Sequence, residues 1–241
     1  MMNMKMIIFD LYGRFAHFRK FYTNSSSLSY SVPPRTTIEG IIAALLGYER
    51  DSYYDLLDVD KLNVAVRKIG ESRKVMQSLN YIKADSPGKL NFPKEHTQIP
   101  FEILTADKNI RYRLYVNHEN VDVLKEIEER TMQNRPVFPL YFGSAPFSCY
   151  IEYVDKAEWN WSTSDQYKII SSVINSEKVE EIDIESVEGS LLKERMPRSF
   201  GENRTIKEVT TYVYEESGQP LKVKFSEKYC ELSNGENIIF L

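Results

Sequence analysis

The side chains best able to hold a ligand cluster in residues 9–47, FDLYGRFAHFRKFYTNSSSLSYSVPPRTTIEGIIAALLG. No acidic residue stands between Asp10 and Glu39, whereas Arg14, Arg19, Lys20 and Arg35 fall inside that interval, with His17 as a further potential cation. Phe15, Phe18, Phe21, Tyr22 and Tyr30 are interleaved with them. Cations neutralise phosphates and rings stack on unpaired bases, so the mixture suits single-stranded nucleic acid. The plainer alternative is a loop whose rings enter the core and whose cations are solvated.

The elements around this stretch would position it. Residues 5–11, KMIIFDL, are apolar and β-prone and predict a buried strand that Gly13 ends. A polar loop follows, flexible around Thr23, Asn24 and Ser25. Pro33 and Pro34 stiffen its exit. Thr36 then reads as a helix N-cap, with Glu39 completing a capping box. Ile38, Ile41, Ile42, Leu45 and Leu46 share one helical face, and Gly47 occupies the usual terminating position. Gly40, inside the helix, calls for a close approach by another element. The helix start, with Arg35, Thr36 and Thr37 beside it, could take a phosphate through its N–H groups.

Bulk properties bound the rest. The chain has 241 residues, 42% of them hydrophobic, enough for one large domain or two small ones. With 31 basic against 35 acidic residues the net charge is −4, so any affinity for nucleic acid must come from a local patch or a site shared with a partner. Two cysteines, Cys149 and Cys230, make neither a disulfide framework nor a zinc spacing, and a reducing cytoplasm is the expectation. The start, MMNMKMIIFDLYG, turns polar too soon for a signal peptide or membrane span. His17, His96 and His118 are too scattered for a metal site, and no cofactor is expected.

Farther on, residues 49–57 predict a short second helix and residues 62–69 a strand. Residues 72–84 and 95–104 predict two strands around a turn-rich tip, ADSPGKLNFPK. This excursion is mildly basic, with Arg73, Lys74, Lys83, Lys89 and Lys94 against Glu71, Asp85 and Glu95. Residues 111–116 predict a separate strand. Residues 120–133 predict a helix with Val121, Leu124 and Ile127 inward. A loop at 136–147 and a strand at 147–154 follow. With the excursion set aside, the order is βαββαβ, that of a ferredoxin-like α+β domain over residues 1–154, in which one sheet face commonly meets RNA. After residue 155, Trp159 and Trp161 belong to a linker-like passage, residues 177–188 are acidic, and residues 193–207 form a second basic loop. Short strands at 206–214, 221–225, 229–232 and 237–241 make residues 155–241 a small β-rich region.

Residues 13–47, GRFAHFRKFYTNSSSLSYSVPPRTTIEGIIAALLG, resemble the N-terminal signature of the fifth Cas family, the small RAMP subunit of CRISPR Cascade complexes. The resemblance continues through FEIL at 101–104, RYRLYV at 111–116 and the glycine-containing loop LYFGSAPF at 140–147. SFGENRTIKEVTTYVYEE at 199–216 is similar to the type I-B branch. The family implies a subunit that caps one end of the Cascade backbone, holds the 5′ handle of the crRNA and contacts the neighbouring backbone subunit and the large subunit. The excursion at 71–94 lies where the family's thumb hairpin would be. Candidate RNA contacts are Arg14, His17, Phe18, Arg19, Lys20, Tyr22, Tyr30, Arg35, Thr36, Thr37 and Gly143, the last for close backbone approach. Arg198 and Arg204 join them from the second basic loop, which could face RNA, target DNA near the protospacer-adjacent motif, or a protein.

Two functions follow from this reading. The first is a scaffold that grips the crRNA handle without cutting it, so that Arg19→Ala or Arg35→Ala weakens handle binding. The second is a metal-independent endoribonuclease, known in the type I-C branch with a Tyr-Lys-His set. Such chemistry needs a base for the ribose 2′-OH and a cation for the phosphorane. His17 with Lys20 and Tyr22, or Tyr115 with His118, supply the residue types, but neither set matches the family's positions.

Overall fold

The computed structural model describes residues 4–84, 86–91 and 93–241. Asp85 and Phe92, assigned above to the tip of the excursion, and residues 1–3 of the N-terminal start lie outside the described residues. In chain order the elements are β1 (Met4–Ala16), β2 (Phe18–Arg19), β3 (Ser29–Tyr30), α1 (Arg35–Leu46), β4 (Leu62–Ile69) and β5 (Arg73–Ile82). There follow α2 (Pro87–Asn91), β6 (His96–His118), α3 (Val121–Met132), β7 (Tyr150–Ser162), β8 (Lys168–Ile170) and β9 (Ile174–Asn175). The chain ends with β10 (Val179–Ile182), β11 (Leu191–Phe200), β12 (Ile206–Glu215), β13 (Leu221–Phe225), β14 (Tyr229–Leu232) and β15 (Asn237–Ile238). The architecture is mixed α/β, with most elements strands. Among the described residues no helix is long and apolar enough to cross a membrane.

The main sheet runs β15-β14-β7-β1-β6-β4, with β5 added to β6. β1 is central because its alternate residues feed two cores. Ile7, Phe9 and Leu11 enter the cluster shared with α1 and α3, whereas Met6 and Ile8 enter a second cluster on the other face. β1 does not stop at Gly13. It continues to Ala16 through a register shift between Gly13 and Phe15, because β6 continues beside it. β6 is likewise one strand where two were expected. It changes partner along its length, pairing with β5 over residues 96–105 and with β4 over residues 111–118.

Helix α1 forms where expected, but its start is built differently. Pro34 is the N-cap residue, its carbonyl accepting from the Thr37 and Ile38 N–H groups, and no side chain caps the helix. Glu39 does not reach back to a cap, because its carboxylate pairs with buried Arg35 one turn earlier. Arg35 also donates to the carbonyls of Leu57 (3.1 Å), Leu62 (2.9 Å) and Arg198 (3.4 Å). One guanidinium thus joins α1 to the entry of β4 and to β11. Burial draws its pKa down to about 10, so it remains a cation at neutral pH. Gly47 ends the helix in the left-handed region, φ 86°. Gly40 faces the Tyr53 hydroxyl, which a Cβ would meet at 3.3 Å.

Other expectations shift at element ends. Residues 49–57 form turns, not a second helix; Asp51 has a positive φ of 65°, which a continuing α-helix does not tolerate. In α3 the inward residues are Val123, Leu124, Ile127 and Thr131, and Val121 is exposed. Trp159 and Trp161 belong to β7, not to a linker, because β14 pairs with it about seventy residues later: Trp159 opposes Leu232 and Trp161 opposes Cys230. Residue 154 therefore lies inside a strand. The second basic stretch is mostly β11, followed by a short 3-10 turn at Glu202–Arg204.

The C-terminal region wraps the sheet. β14 and β15 extend it beyond β7, and at the opposite edge the Leu241 and Val173 N–H groups donate to the Val64 and Val66 carbonyls of β4 (2.9 and 2.7 Å). Phe240 packs edge-on against Trp159, with ring centroids 5.3 Å apart. The sheet face opposite α1 is therefore partly covered by the chain's own C-terminal segment. β11 packs on the far side of α1, and Met196, Tyr212 and Tyr214 join the helix-side core.

His17 ties the β1–β2 junction to β6. Its Nδ1 donates to the Glu102 carbonyl (2.7 Å), its Nε2 accepts from the Ser27 hydroxyl (2.9 Å), and its ring stacks on Phe101 at 3.9 Å. Burial lowers its pKa, so the neutral form is the one that fits.

Two expected outcomes follow. Arg35→Ala leaves Glu39 buried without its partner and should reduce unfolding free energy by about 3–5 kcal/mol in urea titration; a loss below about 1 kcal/mol would contradict the bridging role. For His17 the folded pKa lies below the unfolded one, so its contribution is complete above about pH 6.5 and is lost as pH falls toward the folded value. The urea midpoint of wild type should fall more between pH ~7.5 and ~5.5 than that of His17→Gln, and parallel profiles would show that His17 is not the titrating group.

Candidate nucleic-acid interface

On the helix side of the sheet lies a groove of about 1010 Å³. Its walls come from five separate segments: residues 17–21, α1 from its start to Ala44, residues 48–54, residues 138–144 and residues 197–206. Of the residues predicted from sequence, His17, Phe18, Arg19, Thr36, Thr37, Gly143 and Arg204 line it. Pro34, Thr36 and Thr37 bring the start of α1 to the wall, with no acidic residue in that first turn. Twelve residues of aligned peptide dipoles make this end favourable for an anion.

The groove's cations are Arg19, Arg50 and Arg204. Arg19 is exposed, and among the described residues its guanidinium reaches only the Thr23 carbonyl at 3.5 Å. Arg50, with its side chain 75% exposed, lies 3.3 Å from Asp51. Arg204 donates through Nε to Asp51 (2.7 Å), and the Tyr54 hydroxyl donates to the same oxygen (2.6 Å). Those bonds from Tyr54 and Arg204 hold the Asp51 carboxyl below the usual range. The same Asp51 bond raises Arg204, which keeps this arginine charged. Exposed rings complete the lining: Phe21, Phe138 and Tyr141. Stacking surfaces, a helix start and accessible guanidiniums together fit an extended anionic chain with unpaired bases.

Several predicted contacts have structural duties instead. Arg35 is buried in the bridge described above. Tyr30 is fully buried and donates to the Arg195 carbonyl at 2.5 Å. Phe18 has its ring in the core, edge-on to Tyr112 and Phe142 at 5.7 and 5.8 Å. His17 is occupied at both nitrogens. Lys20 pairs with Glu194 at 2.6 Å; burial opposes its charge, yet the Glu194 bond leaves its pKa raised. Tyr22 is half exposed, with its hydroxyl 3.4 Å from Glu194, outside the groove wall. Arg198 bonds Glu208 (2.8 Å) and the Leu241 carbonyl (3.4 Å) and does not line the groove. Arg14 is exposed but lies elsewhere, donating to the Lys108 carbonyl at 3.0 Å. Gly143 does serve a close backbone approach, but the neighbour is protein: its φ is 79°, and a Cβ there would collide with the His17 carbonyl oxygen.

The wall formed by Tyr48, Arg50, Tyr53 and Tyr54 escaped the sequence reading. The signal was there, since YERDSYY interleaves rings and an arginine as the first stretch does. The expectation of a helix concealed it.

Residues 6–212 match the family described as CRISPR-associated protein (Cas_Cas5). In structure the chain is similar to a CRISPR protein from Archaeoglobus fulgidus, at 14% identity, with 97% of this chain and 98% of that one covered and a TM-score of 0.60. It is also similar to a chain of a CRISPR RNA-guided surveillance complex, at 15% identity, 90% coverage of each chain and a TM-score of 0.51. No curated protein matches the sequence. Identities this low speak for the fold alone; the family match is the stronger finding, because it begins in β1 and ends in β12. The protein is a member of the CRISPR-associated Cas5 family.

Proposed function

We propose that this chain is a non-catalytic subunit of a type I CRISPR Cascade complex that holds the 5′ handle of the crRNA in the groove beside α1. The observation that carries this reading is the convergence of five segments on one groove with accessible arginines, exposed rings and an uncapped helix start. The order β7-β1-β6-β4, with α1 and α3 packed on one face, supports a ferredoxin-like βαββαβ core. The β5–β6 hairpin, whose β5 is exposed nearly throughout, is the candidate thumb toward a neighbouring backbone subunit. Contact with the large subunit rests on the family resemblance, contact with target DNA near the protospacer-adjacent motif on the basic stretch at 193–207, and the type I-B assignment on the sequence resemblance at 199–216.

The non-catalytic part draws support from His17 and His118, the two histidines of the candidate catalytic sets. Both His17 nitrogens are engaged, and His118 donates to the Leu56 carbonyl (2.8 Å) while accepting from the Asn120 N–H (2.9 Å). A general base needs a ring nitrogen turned toward its substrate. Tyr115 is buried, with its hydroxyl 3.1 Å from Glu236.

Fluorescence anisotropy with a handle RNA, titrated across KCl concentrations, tests the groove. Arg19→Ala and Arg50→Ala should each weaken binding and lower the salt slope by about 0.7. Wild-type affinity and slope in both variants would remove the groove from the proposal. Incubating the protein with repeat RNA in EDTA should leave the RNA intact; a product with a 2′,3′-cyclic phosphate would instead establish the endoribonuclease reading.

A further inference from the structure

The sheet face opposite α1 is covered over only part of its length. Phe240 and β14 close over Ile8, Tyr115 and Trp159, but the same strands continue beyond that cover. In the uncovered part Tyr12 of β1 stands opposite Tyr150 of β7 on one side and Arg111 of β6 on the other. The tyrosine ring centroids are 5.7 Å apart, and the Arg111 guanidinium carbon is 5.5 Å from the Tyr12 ring centre. Tyr150 is 57% exposed. Two carboxylates fix the guanidinium beside the rings: Asp10, fully buried, at 3.1 Å and Glu152 at 2.6 Å. Arg111 is thereby held beside Tyr12, with Glu152 half exposed two residues from Tyr150 on β7.

Two cations stand at the open end of this row, with the exposed Asp107 beside them paired to Arg73. Arg14 follows Tyr12 by two residues on β1, and Lys108 precedes Arg111 by three on β6; both are exposed. Among the described residues neither forms a salt bridge, and Arg14 bonds only the Lys108 carbonyl. A ring pair fixed on a sheet, with a guanidinium at one side and two unneutralised cations beyond, is complementary to unpaired bases joined by phosphates.

We propose that this row is a second nucleic-acid contact, separate from the groove, at which unpaired bases stack on Tyr12 and Tyr150 while Arg14 and Lys108 take the adjoining phosphates. The two sites lie on opposite faces of the sheet, so the contact does not depend on the groove assignment. Its ligand is a short single-stranded stretch, RNA or DNA, outside the segment that the groove holds.

Photocrosslinking of the full chain to iodouridine-substituted RNA and iododeoxyuridine-substituted DNA oligonucleotides, read by peptide mapping, tests the site. Crosslinks to Tyr12 or Tyr150 are expected, and the more efficient oligonucleotide identifies the source. Tyr12→Leu with Tyr150→Leu should weaken binding of that oligonucleotide at least about fivefold in anisotropy, whereas the paired Phe variants should retain it. Arg19→Ala with Arg50→Ala should leave the Tyr150 crosslink in place. If the double Leu variant fails to fold, Tyr150→Leu alone and the wild-type crosslink map decide. Crosslinks confined to groove residues, or equal affinity in the Leu variant, overturn the proposal. Protection of Tyr150 by a neighbouring subunit with no crosslink to either strand would assign the face to a protein and overturn it equally.

Discussion

The buried Arg35–Glu39 pair is the constraint on which the rest of this structure depends. A guanidinium is tolerated inside a protein only when its donors are taken up. Arg35 meets that demand with one carboxylate of its own helix and with backbone carbonyls from the entry to β4 and from β11. Those partners lie some 20 and 160 residues away in sequence. Satisfying a single charge therefore fixes how the N-terminal helix, the main sheet and the C-terminal strands meet. Two of the groove's walls, α1 and the residues around Arg198, belong to the elements that Arg35 brings together.

The cations of this acidic chain fall into two groups. Arg35, Lys20, Arg111, Arg113 and Arg198 are joined to carboxylates that hold elements in register. Arg14, Arg19 and Arg50 are exposed; among the described residues the Arg14 and Arg19 guanidiniums bond only backbone carbonyls, and Arg50 has a surface partner of small worth. A net charge of −4 does not hinder such a protein from meeting a polyanion, because screening in physiological salt confines each charge to about 8 Å. What matters is where the uncommitted arginines stand, and they stand beside exposed rings.

The C-terminal region is part of the main sheet's construction. By pairing with residues 159–162 of β7 at one edge and bonding Val64 and Val66 of β4 at the other, it covers part of both edges of the core strands. It also covers the portion of the outer face that carries Ile8, Tyr115 and Trp159 and leaves open the portion that carries Tyr12 and Tyr150. The two faces thus differ in kind: one is filled by helices with a groove at their margin, the other is half sealed by the chain's own end.

Local chemistry determined much of this protein. The strand at the start, the face of α1, the terminating Gly47, the hairpin excursion and the N-terminal family signature were all legible, because each depends on residues within a turn or two of one another. The expectation that residues 9–47 and the glycine loop belong near one site came from the family resemblance, because about a hundred residues separate them. The tertiary structure decided which of those residues are available. Phe18, Tyr30, His17 and Arg35 have the same composition signature as Phe21 and Arg19, yet burial against β6, β11 and residues 57–62 withdraws them from solvent. It also decided that Trp159 is core and that β7 runs through residue 154, since the partner strand arrives about seventy residues later. A side chain's type is a local property, whereas its exposure is set by whichever distant segment packs on it.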